Sequence, residues 1–290
     1  MSRNLGIAGI QMEVVYGIDN SESMLKYLDA VMTLFPWVDI ILFSELCVSG
    51  LDLGQAAPIP NPFLDKFRQW ARKEKKWLIP GSFYEKDQDR IYNTAVVISP
   101  DGEIVVKYRK IFPWRPIEKS DAGKEFCVFD IPGKGRFGLC ICYDVWFPEV
   151  ARHLAWMGAE AVFCPTATYT SDRSQEIILA QAAAISNQLY FFNLNGLGVG
   201  GVGRSVFVDP EGRVLQTSGE AALIMTEVFD LDMVSRAREY GTLGTSQVWK
   251  DLGNFSGEFP LYAKDIRRGE IYKSLGPLKL NRKIGDANNS

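Results

Sequence analysis

The 290-residue sequence contains one histidine, His153, and this scarcity removes several kinds of active site. A Ser-His-Asp triad or a Cys-His pair could use only that residue, and a metal site built from several histidines is impossible within one chain. An excess of charge of one sign is also missing, because the sequence has 32 Lys and Arg residues and 35 Asp and Glu residues. This balance argues against a nucleic-acid partner bound through its backbone.

Long apolar runs are absent as well. The longest stretch without a charge, 177–203, is interrupted by Gln, Asn and Gly residues and is a poor membrane span. The five cysteines are an odd number in a large chain, and the first residues lack the basic and apolar regions of a signal peptide. We therefore expect reduced thiols, a cytoplasmic location and no membrane partner.

Short apolar runs alternate with longer amphipathic stretches, a pattern typical of an α/β protein. We predict helices over 20–35, 62–75, 148–157 and 173–187, and strands over 5–11, 40–43, 77–84, 92–99, 103–108, 136–141, 161–164, 189–194, 205–208 and 213–217. Two predicted hairpins have similar turns, Pro100-Asp101-Gly102 and Asp209-Pro210-Glu211-Gly212. Their similarity indicates a weak internal duplication.

Regular patterning fades after Tyr240. We predict one domain over 1–250 and an extended C-terminal arm over 251–290. Within the arm, 264–283 contains seven basic and two acidic residues. This composition predicts a solvated arm that lies on the body or on a neighbouring subunit, and a tail that binds a polyanion is the alternative.

Cys142 stands between an apolar strand and a proline-led helix, in Cys140-Ile-Cys142-Tyr-Asp-Val-Trp-Phe-Pro. A nucleophile there would lie on a sharp turn, with backbone N–H groups nearby to bind an oxyanion. We interpret the other cysteines as buried hydrophobes, and the Cys-x-Cys spacing as too short and isolated for a zinc or disulfide site. His153 lies three helical turns beyond Cys142 and should point away from it. The base must then be a carboxylate.

Glu45 is the candidate for that base, because it directly follows a predicted buried strand in Phe-Ser-Glu-Leu. Burial there would raise its pKa toward the working range. Lys110 leaves the first hairpin ahead of the apolar segment Ile-Phe-Pro-Trp, where its ammonium could stabilise an oxyanion. Lys107 is the alternative lysine, and we expect it to be exposed.

These elements together resemble the nitrilase, or carbon–nitrogen hydrolase, superfamily, whose members use a Glu-Lys-Cys triad. The resemblance covers about 5–233. It rests on Phe-Ser-Glu45, Lys-Tyr-Arg-Lys110, the Cys142-Tyr-Asp-Val-Trp-Phe-Pro-Glu segment and the two hairpins, with spacings of 65 and 32 residues between the three triad members. It implies a four-layer α-β-β-α sandwich with two pseudo-repeated halves, and a homodimer or higher homo-oligomer.

The resemblance also implies further site residues. Many amidases of this family have a second glutamate eight residues after the lysine; here that residue is Glu118, which would orient the lysine or the substrate amide. Its alternative role is that of a loop carboxylate. We predict that substrate contacts come from Tyr143, Trp146, Thr168 and Tyr169, for which a core or surface role is the alternative. Glu149 is expected to tie the turn at Cys142 to a backbone or arginine partner.

The activity implied by the resemblance is hydrolysis of a small linear amide or N-carbamoyl compound through a thioester on Cys142, with no metal or other cofactor. Tyr143-Asp144 favours an amide over a nitrile, because authentic nitrilases usually have a tryptophan and then a glutamate there. Nitrile hydrolysis, soluble acyl transfer and a non-catalytic binding subunit are the alternatives. The glycine cluster 196–203 matches neither a phosphate loop nor a dinucleotide fingerprint, and we predict a flexible loop over the site.

Overall fold

The computed structural model describes residues 3–242, 244–262, 265–275 and 278. The first half consists of β1 (Asn4–Gln11), β2 (Glu13–Val14), α1 (Ser21–Leu34), β3 (Ile40–Phe43), α2 (Pro62–Glu74), β4 (Trp77–Ile79), β5 (Ser82–Asp87), β6 (Arg90–Ile98) and β7 (Ile104–Arg109). The second half consists of β8 (Cys127–Ile131), β9 (Gly135–Leu139), α3 (Pro148–Trp156), β10 (Ala161–Thr166), α4 (Arg173–Asn187), β11 (Tyr190–Asn195), β12 (Leu197–Gly198), β13 (Val206–Val208), β14 (Val214–Thr217), β15 (Leu223–Asp230), α5 (Leu231–Tyr240) and α6 (Val248–Asn254).

Within these residues the strands form two large sheets. One has the order β15-β1-β3-β4-β6-β5, with β7 also paired to β6, and the other has the order β14-β13-β11-β10-β9-β8. In each sheet three strands are parallel and joined by helices: β1, β3 and β4 in the first, and β9, β10 and β11 in the second. Each of these units is followed by an antiparallel hairpin, β6–β7 or β13–β14. The two halves therefore repeat one order of elements.

Three apolar cores separate four layers. Alternate residues of one strand enter different cores, so that Leu5 and Ile7 of β1 pack between the sheets while Ala8 and Ile10 pack beneath α1 and α2. A third core lies between the second sheet and helices α3 and α4. Strands with helices on one face and a sheet on the other are buried on both faces, which explains their nearly continuous apolar sequences. The predicted α-β-β-α sandwich is confirmed.

One predicted strand, 77–84, is wrong, because the chain turns at Pro80-Gly81 and forms β4 and β5 instead. Gly81 has a φ of +72°, and a Cβ built on it would lie 1.9 Å from the carbonyl oxygen of Ser44. Only glycine permits this approach. The turn brings Ser82 to the segment after β3, where its hydroxyl accepts the N–H of Leu46 at 2.9 Å. The sheet thereby supports the residue next to Glu45.

Most of the described residues of the predicted arm, 251–290, are exposed. Helix α6 spans the predicted domain boundary at 250/251, and short 3₁₀ turns follow at Pro260–Tyr262, Ile266–Arg268 and Glu270–Lys273. Of the predicted basic segment, residues 264, 276–277 and 279–283 lie outside the described residues. The division into a domain and an arm stays a prediction. Among the described residues, we find no helix with the length and apolar character needed to cross a membrane.

Candidate active site

One cavity of about 340 Å³, which we call the main cavity, is lined by side chains that follow three strands. Glu45 comes after β3, Lys110 after β7 and Cys142 after β9, and Glu118 lies on the loop beyond Lys110. Ligand sites of α/β proteins commonly form at the carboxyl ends of strands, where loops leave the sheet. The predicted triad and Glu118 are thus brought together at one place.

Lys110 is buried between two carboxylates. Its Nζ donates to Oε1 of Glu45 at 2.7 Å and to Oε2 of Glu118 at 2.8 Å, and its side chain is 2% exposed. Burial alone would lower the pKa of Lys110, but the charges of Glu45 and Glu118 outweigh it and raise that pKa well above its usual value. Burial likewise works against the charge of Glu118, whose pKa the ammonium nevertheless lowers. At neutral pH, Lys110 and Glu118 form an ion pair.

Asn93, on β6, connects the two glutamates and was missed by the sequence reasoning. Its Nδ2 donates to Oε1 of Glu45 at 2.7 Å and to Oε1 of Glu118 at 3.1 Å. Two fully buried polar residues, Asn93 and Thr94, interrupt the otherwise apolar run 91–98 of this strand. That interruption is the signal that could have identified Asn93, because buried polar groups need hydrogen-bond partners.

Cys142 begins a 3₁₀ turn, Cys142–Trp146, and has a φ of 45°, in the left-handed region that side chains other than glycine rarely adopt. Its sulfur lies 3.6 Å from the Thr168 hydroxyl. Burial, assisted by the charge of Glu45, raises the pKa of the Cys142 thiol well above its usual value, although Lys110 acts in the opposite direction. At neutral pH the group is therefore a thiol and not a thiolate.

Two residues for which we predicted no catalytic role, His153 and Lys107, do not line this cavity. His153 is exposed on α3, and its ring stacks on Phe126 with centroids 4.2 Å apart. The side chain of Lys107 is 43% exposed and pairs with Glu85 at 2.8 Å.

The prediction that Glu149 holds the turn at Cys142 through a backbone or arginine partner is wrong. Glu149 is partly exposed in the first turn of α3, and none of the hydrogen bonds among the described side chains involves it. The turn is held by Asp144 instead, whose Oδ2 accepts the N–H of Ile141 at 2.9 Å. Asp144 lies inside the 3₁₀ turn, whereas Glu149 lies in the first turn of the helix that follows it.

The predicted substrate residues occupy different positions around Cys142. Tyr169 lines the main cavity, where its ring meets that of Trp114 with centroids 6.2 Å apart. Tyr143 and Thr168 line a side recess of about 20 Å³ that also reaches Cys142. Trp146 lines neither space. Its ring lies 6.0 Å from that of Tyr143, so it packs beside a recess residue.

A buried ion pair beside the recess was also missed by the sequence reasoning. Glu176 lines the recess and pairs with Arg173 at 3.1 Å, and both side chains are almost fully buried. Burial raises the pKa of Glu176 and outweighs the charge of Arg173. The available signal was weak, because charges in the first turn of a helix are usually solvated.

The prediction that residues 196–203 form a flexible loop over the site is wrong. Leu197–Gly198 pairs with β2 as a small parallel sheet, and Val202 donates its N–H to the carbonyl of Thr168 at 3.0 Å. A Cβ built on Gly200 would lie 2.7 Å from Cγ2 of Val14, so the glycines permit close packing against β2. None of the residues 196–203 lines the main cavity or the recess.

Known proteins with similar sequences and folds place this arrangement in a family. The family model for carbon–nitrogen hydrolase matches residues 7–239. A formamidase of Bacillus cereus (strain B4264) is 34% identical over 190 residues, which are 62% of this chain and 57% of the formamidase. The chain thus spans less than two thirds of that relative's length.

Two solved structures show the same fold. Nit3 of Saccharomyces cerevisiae, a member of branch 10 of the nitrilase superfamily, has a TM-score of 0.76 at 26% identity, covering 84% of this chain and 96% of Nit3. The second is a glutamate-to-glutamine variant of the amidase from Nesterenkonia sp. AN1, and it shows Michael addition of acrylamide at the active-site cysteine. Its TM-score is 0.71 at 25% identity, and the match covers 81% of this chain and 96% of the amidase. Because the family model spans most of the sequence, this chain belongs to the carbon–nitrogen hydrolase family.

Proposed function

We propose that the chain is an enzyme that hydrolyses a small linear amide or N-carbamoyl compound through a thioester on Cys142, releasing ammonia or an amine. The observation that carries this proposal is the grouping of Cys142 with Lys110, Glu45 and Glu118 around one cavity. A buried nucleophile, a buried cation and a carboxylate base are the parts that acyl transfer through a cysteine requires.

Glu45 acts first as a general base. Its Oε1 accepts both Lys110 and Asn93, and among the described residues none donates to its Oε2. That oxygen takes the proton from the Cys142 thiol while the sulfur bonds to the amide carbon. The electron pair of the C=O bond moves to oxygen, and the oxyanion is stabilised by Lys110 and the backbone N–H of Tyr143.

The tetrahedral intermediate then collapses. The C–N bond breaks as Glu45 returns its proton to the leaving nitrogen, and the acyl group remains on the Cys142 sulfur. Glu45 next removes a proton from water, the hydroxide oxygen bonds to the acyl carbon, and the C–S bond breaks. The thiol regains the proton. Glu118 holds Lys110 in place, because its Oε2 accepts the ammonium at 2.8 Å.

The relatives support an amide substrate for this site. One relative is named a formamidase, and another is an amidase, of which a glutamate-to-glutamine variant carries acrylamide on its active-site cysteine. We propose that Tyr143 and Thr168 contact the substrate from the recess and that Tyr169 contacts it in the main cavity. Trp146 packs beside Tyr143 and supports it.

We also propose a homodimer or a higher homo-oligomer in the cytoplasm. Large apolar side chains are exposed on α3 and α4: Trp156 is 72% exposed, Ile178 64% and Ile185 47%. An apolar face of this kind favours burial against a second copy. The five cysteines are all free of disulfides, which agrees with a reducing compartment.

The test is ammonia release from a matched panel of an amide, an N-carbamoyl amine and a nitrile of similar size. We expect release from the amide or carbamoyl compound. Added hydroxylamine should capture the thioester as a hydroxamate from the amide, or as a hydroxyurea from the carbamoyl compound. Cys142→Ala should lower kcat at least about 10³-fold. Cys140→Ala is the matched control, because Cys140 is buried two residues away and packs in the core under α3. The proposal would be contradicted if only the nitrile were hydrolysed, or if no member of the panel were. It would also be contradicted if the acyl group were transferred only to an acceptor other than water.

A further inference from the structure

Asp144 is fully buried and lines neither the main cavity nor the recess. Its two oxygens reach the segment that carries Lys110. Oδ2 accepts the Tyr108 hydroxyl at 2.7 Å, and Oδ1 accepts the backbone N–H of Phe112 at 2.9 Å. These donors stand two residues before and two residues after Lys110. One carboxylate therefore holds the chain on both sides of the lysine.

The same carboxylate also fixes the backbone at Cys142. Oδ2 accepts the N–H of Ile141, the residue directly before the cysteine, at 2.9 Å. The left-handed φ of Cys142 is an arrangement that persists only when the surroundings hold it. Hydrogen bonds to an ionised, buried carboxylate are strong enough to do so. Asp144 thus joins the two segments that present Lys110 and Cys142.

We propose that Asp144 is a positioning residue, which together with Tyr108 sets the placement of Lys110 against Cys142. This inference rests on the proposed function. Asp144 acts through the two catalytic segments and does not touch the substrate. All three of its bonds come from donors, so the carboxylate has to be ionised to accept them fully. A protonated Asp144 would present a donor to a site built of donors.

The electrostatic surroundings make this contact sensitive to acid. Burial raises the pKa of Asp144 to about 6, although the bond from Tyr108, the charge of Lys110 and the backbone N–H donors act in the opposite direction. The titratable groups that face Asp144 are Tyr108 and Lys110 from the end of β7 and Cys140 from the end of β9. As the pH falls through about 6, Asp144 takes up a proton and the hold on Lys110 weakens. Removing the Tyr108 hydroxyl raises the pKa of Asp144 further, so this loss should begin at a higher pH.

The test compares Tyr108→Phe with Tyr190→Phe. Tyr190 is a buried tyrosine whose hydroxyl donates to the Asp230 carbonyl at 3.1 Å, away from the cavity. For Tyr108→Phe we expect kcat to fall about 10- to 100-fold with KM within about twofold, because the reacting groups are misplaced while the cavity is intact. We also expect the acid limb of its kcat–pH profile to move to higher pH. Tyr190→Phe should change neither quantity.

An unchanged kcat and acid limb in Tyr108→Phe, or equal losses in both variants, would overturn the proposal. If the wild type hydrolyses no amide, the proposed function fails, and the positioning role is tested by the pH midpoint of Cys142 alkylation with iodoacetamide. Lys110 lowers the pKa of Cys142, so a loosened contact should raise this midpoint in Tyr108→Phe and not in Tyr190→Phe. Equal midpoints in the wild type and Tyr108→Phe would overturn the positioning role independently of turnover.

Discussion

Asn93 and Glu45 are joined by a hydrogen bond of 2.7 Å between two buried side chains. The acceptor is Oε1 of Glu45, which also accepts the Lys110 ammonium at 2.7 Å. With both donors on one oxygen, the other is available to take a proton from the thiol. Asn93 therefore orients the carboxylate that we propose as the base, although Asn93 itself carries no charge.

Asn93→Ala is expected to lower kcat/KM about 10- to 100-fold, because Glu45 loses a donor that fixes its orientation. Asn61→Ala is the matched control. The Asn61 side chain accepts the N–H of Leu64 at the start of α2, so its loss should cost about 1 kcal/mol of stability and leave kcat/KM unchanged. Steady-state kinetics and thermal unfolding of both variants separate these effects. A kcat/KM of Asn93→Ala within about threefold of the wild type would show that Asn93 does not orient the base.

Lys110→Met should destabilise the fold by about 3 kcal/mol at pH 7, because the carboxylates of Glu45 and Glu118 would remain buried without a counter-ion. The double variant with Glu118→Gln should recover part of that loss. Lys66→Met is the control, since Lys66 pairs with Glu22 on the surface. Urea unfolding measures all three. Equal midpoints for Lys110→Met and Lys66→Met would mean that the buried charges are not coupled.

Glu85 gives the clearest dependence of stability on pH. Its buried carboxylate accepts Lys107, Arg109 and Thr94, each at 2.8 Å. Burial opposes its charge, but these bonds outweigh burial and lower the pKa of Glu85 to about 2, from the usual 4.5. The resulting stability is fully present above pH 4.5 and is lost as the pH falls through about 2.

Glu85→Gln should therefore be less stable than the wild type by about 2 kcal/mol at pH 7, a figure reduced for the solvent around Lys107. The difference should shrink below pH 4.5 and be nearly gone at pH 2. Urea unfolding at pH 7, 4.5 and 3 tests this trend. A difference that does not vary with pH would show that the Glu85 charge is not responsible.

His153→Ala should keep kcat/KM within about twofold, because the imidazole lies on the exposed side of α3 and stacks on Phe126. The measurement is amide hydrolysis, with the fold and the oligomeric state checked in parallel. Abolished turnover in a folded and correctly assembled variant would contradict the inference that a single histidine leaves proton transfer to a glutamate.

The fold was predictable where local patterns are strong. Strands β3 and β10 are apolar on both faces, and Pro62 and Pro148 mark helix starts. The edge strands β8 and β15 were missed because they are half exposed and mix charged with apolar residues, as at Asp130 and Glu227. The break at Gly81 depends on the backbone of Ser44, which is distant in sequence.

The same division applies to the site. Glu45, Lys110 and Cys142 each follow a strand closely, so their placement was readable from local sequence and from the resemblance. Asn93 contacts Glu45 from 48 residues away, and Asp144 contacts Tyr108 from 36 residues away. Such partners depend on which strands become neighbours, and local periodicity carries no information on that pairing.

The central claim is that Cys142 forms a covalent acyl intermediate. The most direct measurement is mass spectrometry of enzyme quenched in acid during turnover of an amide. Trypsin should release peptide 137–152, which contains both Cys140 and Cys142, and fragmentation distinguishes the two. We predict that Cys142 gains the mass of the acyl group less one hydrogen, and that Cys142→Ala shows neither adduct nor turnover. Acylation of another residue, or amide hydrolysis retained by Cys142→Ala, would contradict the claim.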